Sequence, residues 1–289
     1  MSDAQDREPR YRMTAGHPDI GYLDAGPRTA RAIVLLHSLG TDHRLWQAQV
    51  AHLAGEYRVI APDSRGHGGS AWAGPLTVQD WVSDLGRVLD HCGVRQPVLA
   101  GVSMGGVQAL AFAASLPGRV HALIVADSFA ELDTGTARAK TEAFVTRARA
   151  DGMAAFADWY VASTFTADPL PPAAEVVRDA MTGIGPQAFI ASAEVCFGVR
   201  LGDALGRIQA PTLVLWGDRD VKTPREASES VAAGIAGAEF SVVGDAGHLA
   251  NTENPGEFTR LVTGFLRRID APPGPGGPDR AGIAASRRK

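Results

Sequence analysis

The sequence predicts an α/β fold: a mostly parallel central sheet, helices on both of its faces, and a helical insertion late in the chain. Three observations predict it. Short β-branched apolar runs recur along the chain, helical periodicity separates several of them, and one long stretch, 131–200, carries helical patterns but no strand. With 289 residues, 45% of them hydrophobic and 21% charged, the composition is that of a globular protein able to bury a sizeable core.

The elements follow in order. Residues 1–10 (MSDAQDREPR) are polar and expected to be disordered, and they lack the apolar stretch of a secretion signal. Segments near Tyr11–Thr14 and Ile20–Asp24 are expected to add an antiparallel edge to the sheet. The runs Ala32–Leu36 (AIVLL), Arg58–Ala61 (RVIA), Val98–Val102 (VLAGV), Leu123–Ala126 (LIVA), Thr212–Trp216 (TLVLW) and Phe240–Val243 (FSVV) read as parallel strands buried on both faces. Between them the clearest helix runs from Val78 to Cys92, with apolar residues returning every three or four positions. Thr77 and Asp80 form a capping-box start for it, and Gly93 ends it. These segments place a core at 11–130 and 201–270, with a helical cap at 131–200. The last residues, 271–289, are so rich in Pro, Gly and Ala that disorder is expected.

Charge and cysteine content narrow the function classes. Lys and Arg total 28 against 32 for Asp and Glu, a net charge of −4, so nothing advertises nucleic acid or acidic lipid as a partner. A small-molecule partner is expected instead. No apolar run approaches the roughly 20 residues of a membrane span. Cys92 and Cys196 are far apart and make neither a disulfide framework nor a metal-ligand cluster, which favours a reducing compartment. The expectation is a soluble, cytoplasmic protein with no membrane association, metal or organic cofactor.

One stretch carries the chemistry. In "AGVSMGGVQAL" (100–110), Ser103 sits where the strand Val98–Val102 must turn at once into a helix beginning near Met104. A serine held out of so sharp a turn needs strained backbone angles, and neighbouring segments pass too close for side chains two positions either side. Gly101 and Gly105 supply the room, and Gly106 permits a further close approach. The hydroxyl then stands at a helix N-terminus, where N–H groups and the dipole favour negative charge. A glycine-rich strand-to-helix turn could equally be structural or bind phosphate.

A serine keeps its proton unless a base takes it, so the nucleophilic reading demands a histidine and an orienting acid downstream, in the order Ser, acid, His. His248 fits, in the small-residue loop GDAGH beyond Phe240–Val243. The other histidines have blander readings on helices, edges and turns. For the acid, Asp220 in LWGDRD follows the strand Thr212–Trp216 at the end where catalytic groups collect in parallel sheets. Asp220 is preferred because it extends further past the strand than Asp218. Asp127, which ends Leu123–Ala126, is the rival. Two N–H groups must also face the oxyanion. Met104 supplies one, and the loop HSLGTDHRLW after Ala32–Leu36 supplies the other from Leu39, with His37 ordering that loop.

Taken together, LLHSLG, PDSRGHGGS, GVSMGG, WGDRDVKTP and GDAGH, in order over residues 20–270, resemble the α/β-hydrolase fold family. The series is most similar to 3-oxoadipate enol-lactone hydrolases and related carboxylesterases. The resemblance implies Ser103 as nucleophile, Asp220 as acid, His248 as base and the Leu39 and Met104 amides as oxyanion donors. It also implies a small ester or lactone as substrate. The common loop begins His-Gly, whereas this chain has His37-Ser38. Haloalkane dehalogenases and epoxide hydrolases resemble the fold but carry aspartate where Ser103 stands, which disfavours them. Carbon–carbon bond hydrolases, which often have asparagine in place of Val102, and cofactor-free perhydrolases, which share the S-M-G-G run, are the alternatives on the same fold. A binding protein that kept the fold without catalysis is the alternative of another class.

The insertion is rich in large apolar residues. His37, Phe144, Trp159, Tyr160 and Phe197 are the expected pocket residues, which would favour a fairly apolar acyl group. The same aromatics would be needed merely to attach the insertion to the core. For a substrate carboxylate, such as enol-lactone hydrolases must recognise, Arg147, Arg149, Arg178 and Arg200 are candidates that the sequence cannot rank.

Overall fold

A computed structural model describes residues 8–271. Eight strands form one sheet: β1 (Arg10–Met13), β2 (Gly21–Ala25), β3 (Ala32–Leu36), β4 (Arg58–Pro62), β5 (Val98–Val102), β6 (Ala122–Ala126), β7 (Thr212–Gly217) and β8 (Glu239–Val243). Their order is β1-β2-β4-β3-β5-β6-β7-β8. The pairs β1·β2 and β2·β4 are antiparallel, and every other neighbouring pair is parallel. The residues expected to lie in disordered ends fall outside the described residues, apart from the first edge residues 8–10 and Ala271.

Along β3 successive side chains alternate between two cores. Ile33 and Leu35 pack into one apolar cluster, while Val34 and Leu36 pack into the other. Parallel strands need helical crossovers, so helices cover both faces: α1 (Gln47–Leu53), α2 (Val78–His91), α3 (Met104–Ser115), α7 (Arg225–Gly234) and α9 (Pro255–Asp270), with a short α8 (Ala250–Glu253) before the last. The Thr77–Asp80 capping box on α2 is present, and Cys92 caps the helix end ahead of Gly93 at φ +67°.

Two expectations need correcting. Phe240–Val243 reads as a doubly buried strand, but β8 lies at the sheet edge and only Val243 is buried. A four-residue apolar run does not say on which side of the sheet its neighbours end. The helical stretch after β6 is also more broken than its periodicity suggests. It consists of α4 (Thr134–Thr164), α5 (Ala173–Gly183) and α6 (Pro186–Gly198), and Gly152 at φ +75° interrupts α4. Asp133 caps its start by accepting from the Thr136 N–H. The stretch leaves and rejoins the sheet through a narrow neck, where Glu131 and Arg200 form a bridge and Leu201 N–H donates to Ala130 O.

Candidate active site

The C-terminal ends of β3, β5, β6 and β7 open toward α4–α6, and the serine stands there. Ser103 links β5 to α3 at φ +55°, a backbone conformation that non-glycine residues rarely adopt. Three contacts hold it. Its N–H donates to Ala126 O on β6, while its carbonyl accepts from Val107 N–H and from Ser128 Oγ at 2.7 Å. The flanking glycines are there for space. A Cβ on Gly101 would lie 2.1 Å from Gly105 O, and one on Gly105 would lie 2.0 Å from Leu36 O.

Beyond β8 the loop 244–249 carries His248 back over the strand ends. Its Nε2 lies 2.9 Å from Ser103 Oγ, and its Nδ1 lies 3.0 Å from Asp220 Oδ2. The Asp220 side chain is wholly buried, and its other oxygen accepts from the N–H groups of Lys222 (2.7 Å) and Thr223 (3.0 Å). An acid so held keeps its charge toward the imidazole. Asp127, the rival, points elsewhere. Its Oδ1 accepts from Gly217 N–H at 2.8 Å and its Oδ2 from Ala250 N–H at 3.2 Å, tying β6 to β7 and to the segment just after His248. Burial and the charge of Asp220 push the Asp127 carboxyl well above the ordinary carboxylate range. The sheet brings the two acids close together and gives the histidine to Asp220.

Main-chain N–H groups complete the arrangement. Met104 begins α3 and Leu39 sits in the loop after β3; both are buried, and neither N–H has a hydrogen-bond partner among the described residues. The first N–H groups of a helix have no carbonyl behind them, so the Met104 N–H faces outward by construction. Two buried histidines shape the Leu39 loop. His37 Nδ1 donates to Ser38 O (2.8 Å) and its Nε2 accepts from Ser64 N–H (2.8 Å); His67 Nε2 accepts from Gly40 N–H at 3.1 Å. Burial lowers both imidazoles, His67 to about 3, so they stay neutral and act as staples. Ser38 lies outside the left-handed region, so this loop accommodates a side chain where the family's common loop has glycine.

Ser103 and His248 open into a pocket of about 410 Å³ walled by Leu39, Phe129, Phe144, Tyr160, Cys196 and Phe197. Of the pocket residues expected from sequence, Phe144, Tyr160 and Phe197 line it. His37 does not, because its ring is used behind the Leu39 loop. Trp159 stands one layer out, edge-on to Phe144 at 5.7 Å. The arginines proposed for a carboxylate are engaged elsewhere or point away. Arg147 stacks on Trp159 at 4.5 Å, Arg178 pairs with Asp158 and Glu175, Arg200 donates to Leu132 O, and Arg149 borders a separate surface groove. The cations that do line the pocket are Lys140 and Lys222, which sequence reasoning missed. A signal was available: the chain has three lysines against 25 arginines.

For a metal, one group of side chains among the described residues has suitable geometry: Asp42, His43 and Asp63. Its carboxylates already have protein donors. Asp63 accepts from Tyr11 Oη (2.5 Å), His43 Nδ1 (2.9 Å) and Gly69 N–H (2.9 Å), and Asp42 binds the Arg44 guanidinium. Burial alone would raise Asp63, but these bonds bring it down to about 2. The group fastens β1 to the loop after β4.

No helix of the described residues is long and apolar enough to cross a membrane. The chain's likeness to known proteins agrees with the geometry. A family model described as the alpha/beta hydrolase fold matches residues 31–255. The 3-oxoadipate enol-lactonase 1 of Acinetobacter baylyi is 31% identical over 245 residues, covering 84% of this chain and 91% of that protein. Among solved structures, the enol-lactonase from Burkholderia xenovorans LB400 superposes with a TM-score of 0.82 at 30% identity, covering 89% of this chain and 99% of that one. A thermophilic esterase from Thermogutta terrifontis, solved with malate bound, gives 0.81 at 30% identity over 91% and 100%. With the nucleophile turn, the sheet order and these matches in agreement, the chain belongs to the α/β-hydrolase fold family and resembles its enol-lactonases.

Proposed function

We propose that this α/β-hydrolase, an enzyme of ester bonds, cleaves small esters or lactones through an acyl-enzyme on Ser103. One observation carries the reading: Ser103 Oγ, His248 and Asp220 form a continuous hydrogen-bonded relay, at 2.9 and 3.0 Å, at the floor of an apolar pocket. In the first step His248 Nε2 takes the Ser103 proton as Oγ attacks the carbonyl carbon. The resulting oxyanion accepts from the Leu39 and Met104 N–H groups, each worth about 3 kcal/mol in the transition state. Asp220 fixes the imidazole tautomer and stabilises the imidazolium. His248 then protonates the leaving alcohol or enol, and a water activated by the same imidazole releases the acid. No step calls on a metal or an organic cofactor.

The helices α4–α6 act in this reading as a cap. Phe144, Tyr160 and Phe197 set an apolar wall for the acyl chain and exclude bulk water. The free thiols Cys92 and Cys196 and the absence of an apolar leader in residues 1–12 fit a cytoplasmic enzyme.

The test is intact-mass spectrometry after exposure to a fluorophosphonate, followed by turnover of p-nitrophenyl esters and enol-lactones. A single adduct on the wild type, lost in folded Ser103→Ala, is the expected result. Equal labelling of the two proteins, or full turnover by the variant, would overturn the assignment.

A further inference from the structure

Two of the three lysines in the chain line the pocket of Ser103, whereas the other cations of the protein are arginines. Lys140 reaches it from α4 and Lys222 from the turn after β7, so the two ammoniums come from opposite sides of the neck. Lys140 Nζ donates to Lys222 O at 2.8 Å, and Lys222 Nζ donates to Ser163 Oγ at 2.8 Å. Lys222 Nζ also lies 4.9 Å from the Trp159 ring centroid and 5.5 Å from that of Tyr160.

These partners are neutral, and among the described residues neither ammonium has a carboxylate within ion-pair distance. The nearest acid to act on both is Asp220, whose oxygens are committed to His248 and to two N–H groups. Burial lowers both lysines, and repulsion from Lys140 helps bring Lys222 down to about 8. Two half-buried like charges facing an apolar pocket are unfavourable unless an anion joins them. Structural lysines would sit in solvent or on a carboxylate; these do neither.

We propose that Lys140 and Lys222 form an anion subsite that takes a carboxylate carried on the acyl part of the substrate. This rests on the reading of Ser103 as the nucleophile and narrows it. The substrates are then monoesters or lactones of dicarboxylic acids, with the scissile carbonyl at Ser103, the methylene chain along Phe144 and Phe197, and the free carboxylate at the lysines. Lysine suits the task, because its compact ammonium on a slender stem fits a narrow pocket that a guanidinium would block.

The test compares kcat/KM for the monomethyl esters of succinate, glutarate and adipate with neutral counterparts in which an isopropyl group replaces the carboxylate. The wild type is expected to favour the anionic partner by at least tenfold for one chain length. In Lys140→Met that ratio should fall about tenfold through KM, and in the Lys140→Met, Lys222→Met double variant the preference should vanish. A wild-type ratio near one, or a ratio unchanged in Lys140→Met, overturns the proposal. Should the variants fail to fold, inhibition of the wild type decides. The non-hydrolysable anion N-methyladipamate should compete at least tenfold better than its uncharged bis-methylamide, and equal inhibition overturns the proposal. A fluorophosphonate adduct on Ser103 with a flat charge preference defeats only the subsite. No adduct, with neither ester turned over, defeats the nucleophile itself.

Discussion

Two regions meet over Ser103, and they are specified in different ways. On the sheet side, at the ends of β3, β5, β7 and β8, function depends on the main chain: a positive-φ serine, glycines whose missing Cβ atoms let strands and helix touch, and two unpartnered N–H groups. On the side of α4–α6, function depends on which way side chains point across three helices. The backbone there is ordinary apart from Gly152. Chemistry is thus written into geometry that tolerates little change, and selectivity into side chains that can be exchanged.

The sharpest way to break this contrast is at the nucleophile. Ser103→Ala should lower turnover by a factor on the order of 10⁶ while the melting temperature stays close to that of the wild type. Asp220→Asn should cost about 10⁴ in kcat, because the wrong imidazole tautomer is then favoured. Asp127→Asn should cost less than about tenfold in kcat, its larger effect being a loss of roughly 1–3 kcal/mol of stability as one buried N–H contact is weakened. A reversed order in steady-state kinetics would hand the acid role to Asp127.

Glycine replacements compare the two regions directly. Gly105→Ala places a Cβ 2.0 Å from Leu36 O and should remove about 4 kcal/mol of stability or more. Gly152→Ala has φ +75° but open space around it, so it should cost only about 1–3 kcal/mol by denaturant unfolding and leave the esterase activity of the folded enzyme in place.

Acid sensitivity should likewise come from the sheet side. His67 is held at about 3 by burial, below the roughly 6.5 of an unfolded histidine. Between those values the unfolded chain binds the extra proton, so stability is full above about pH 6.5 and declines as pH falls, by about 1.4 kcal/mol per pH unit from this group. His37, lowered in the same direction, adds to the slope, and His43, raised through Asp63, opposes it. Unfolding free energies measured from pH 7 to 5 should fall less steeply in His67→Gln than in the wild type.

The same division explains what could be read from sequence. Seven of the sheet's segments follow from apolar runs because a strand between two neighbours must be apolar on both faces; β8 misleads because an edge strand can carry the same four residues. Ser103 and His248 are legible because glycines at fixed spacing reveal a constrained backbone. Asp220 was preferred over Asp127 on reach alone, and the hydrogen bonds place the histidine on that side. The pocket was the hard part. Trp159 and Phe144 look alike in sequence, yet one lines the cavity and the other stands behind it. The arginines of the insertion drew attention because they are many, whereas the lysines mattered because they are few.

That scarcity has a practical side. Apart from the chain's N-terminal amine, amine-selective acylation has three places to go, and two of them flank the nucleophile. At about pH 8, near half of Lys222 carries a free lone pair. Succinimidyl esters or aldehyde supports, routine for attaching enzymes to surfaces, will therefore report on and silence the catalytic pocket, whereas thiol- or guanidine-directed tethers leave both pocket lysines unmodified.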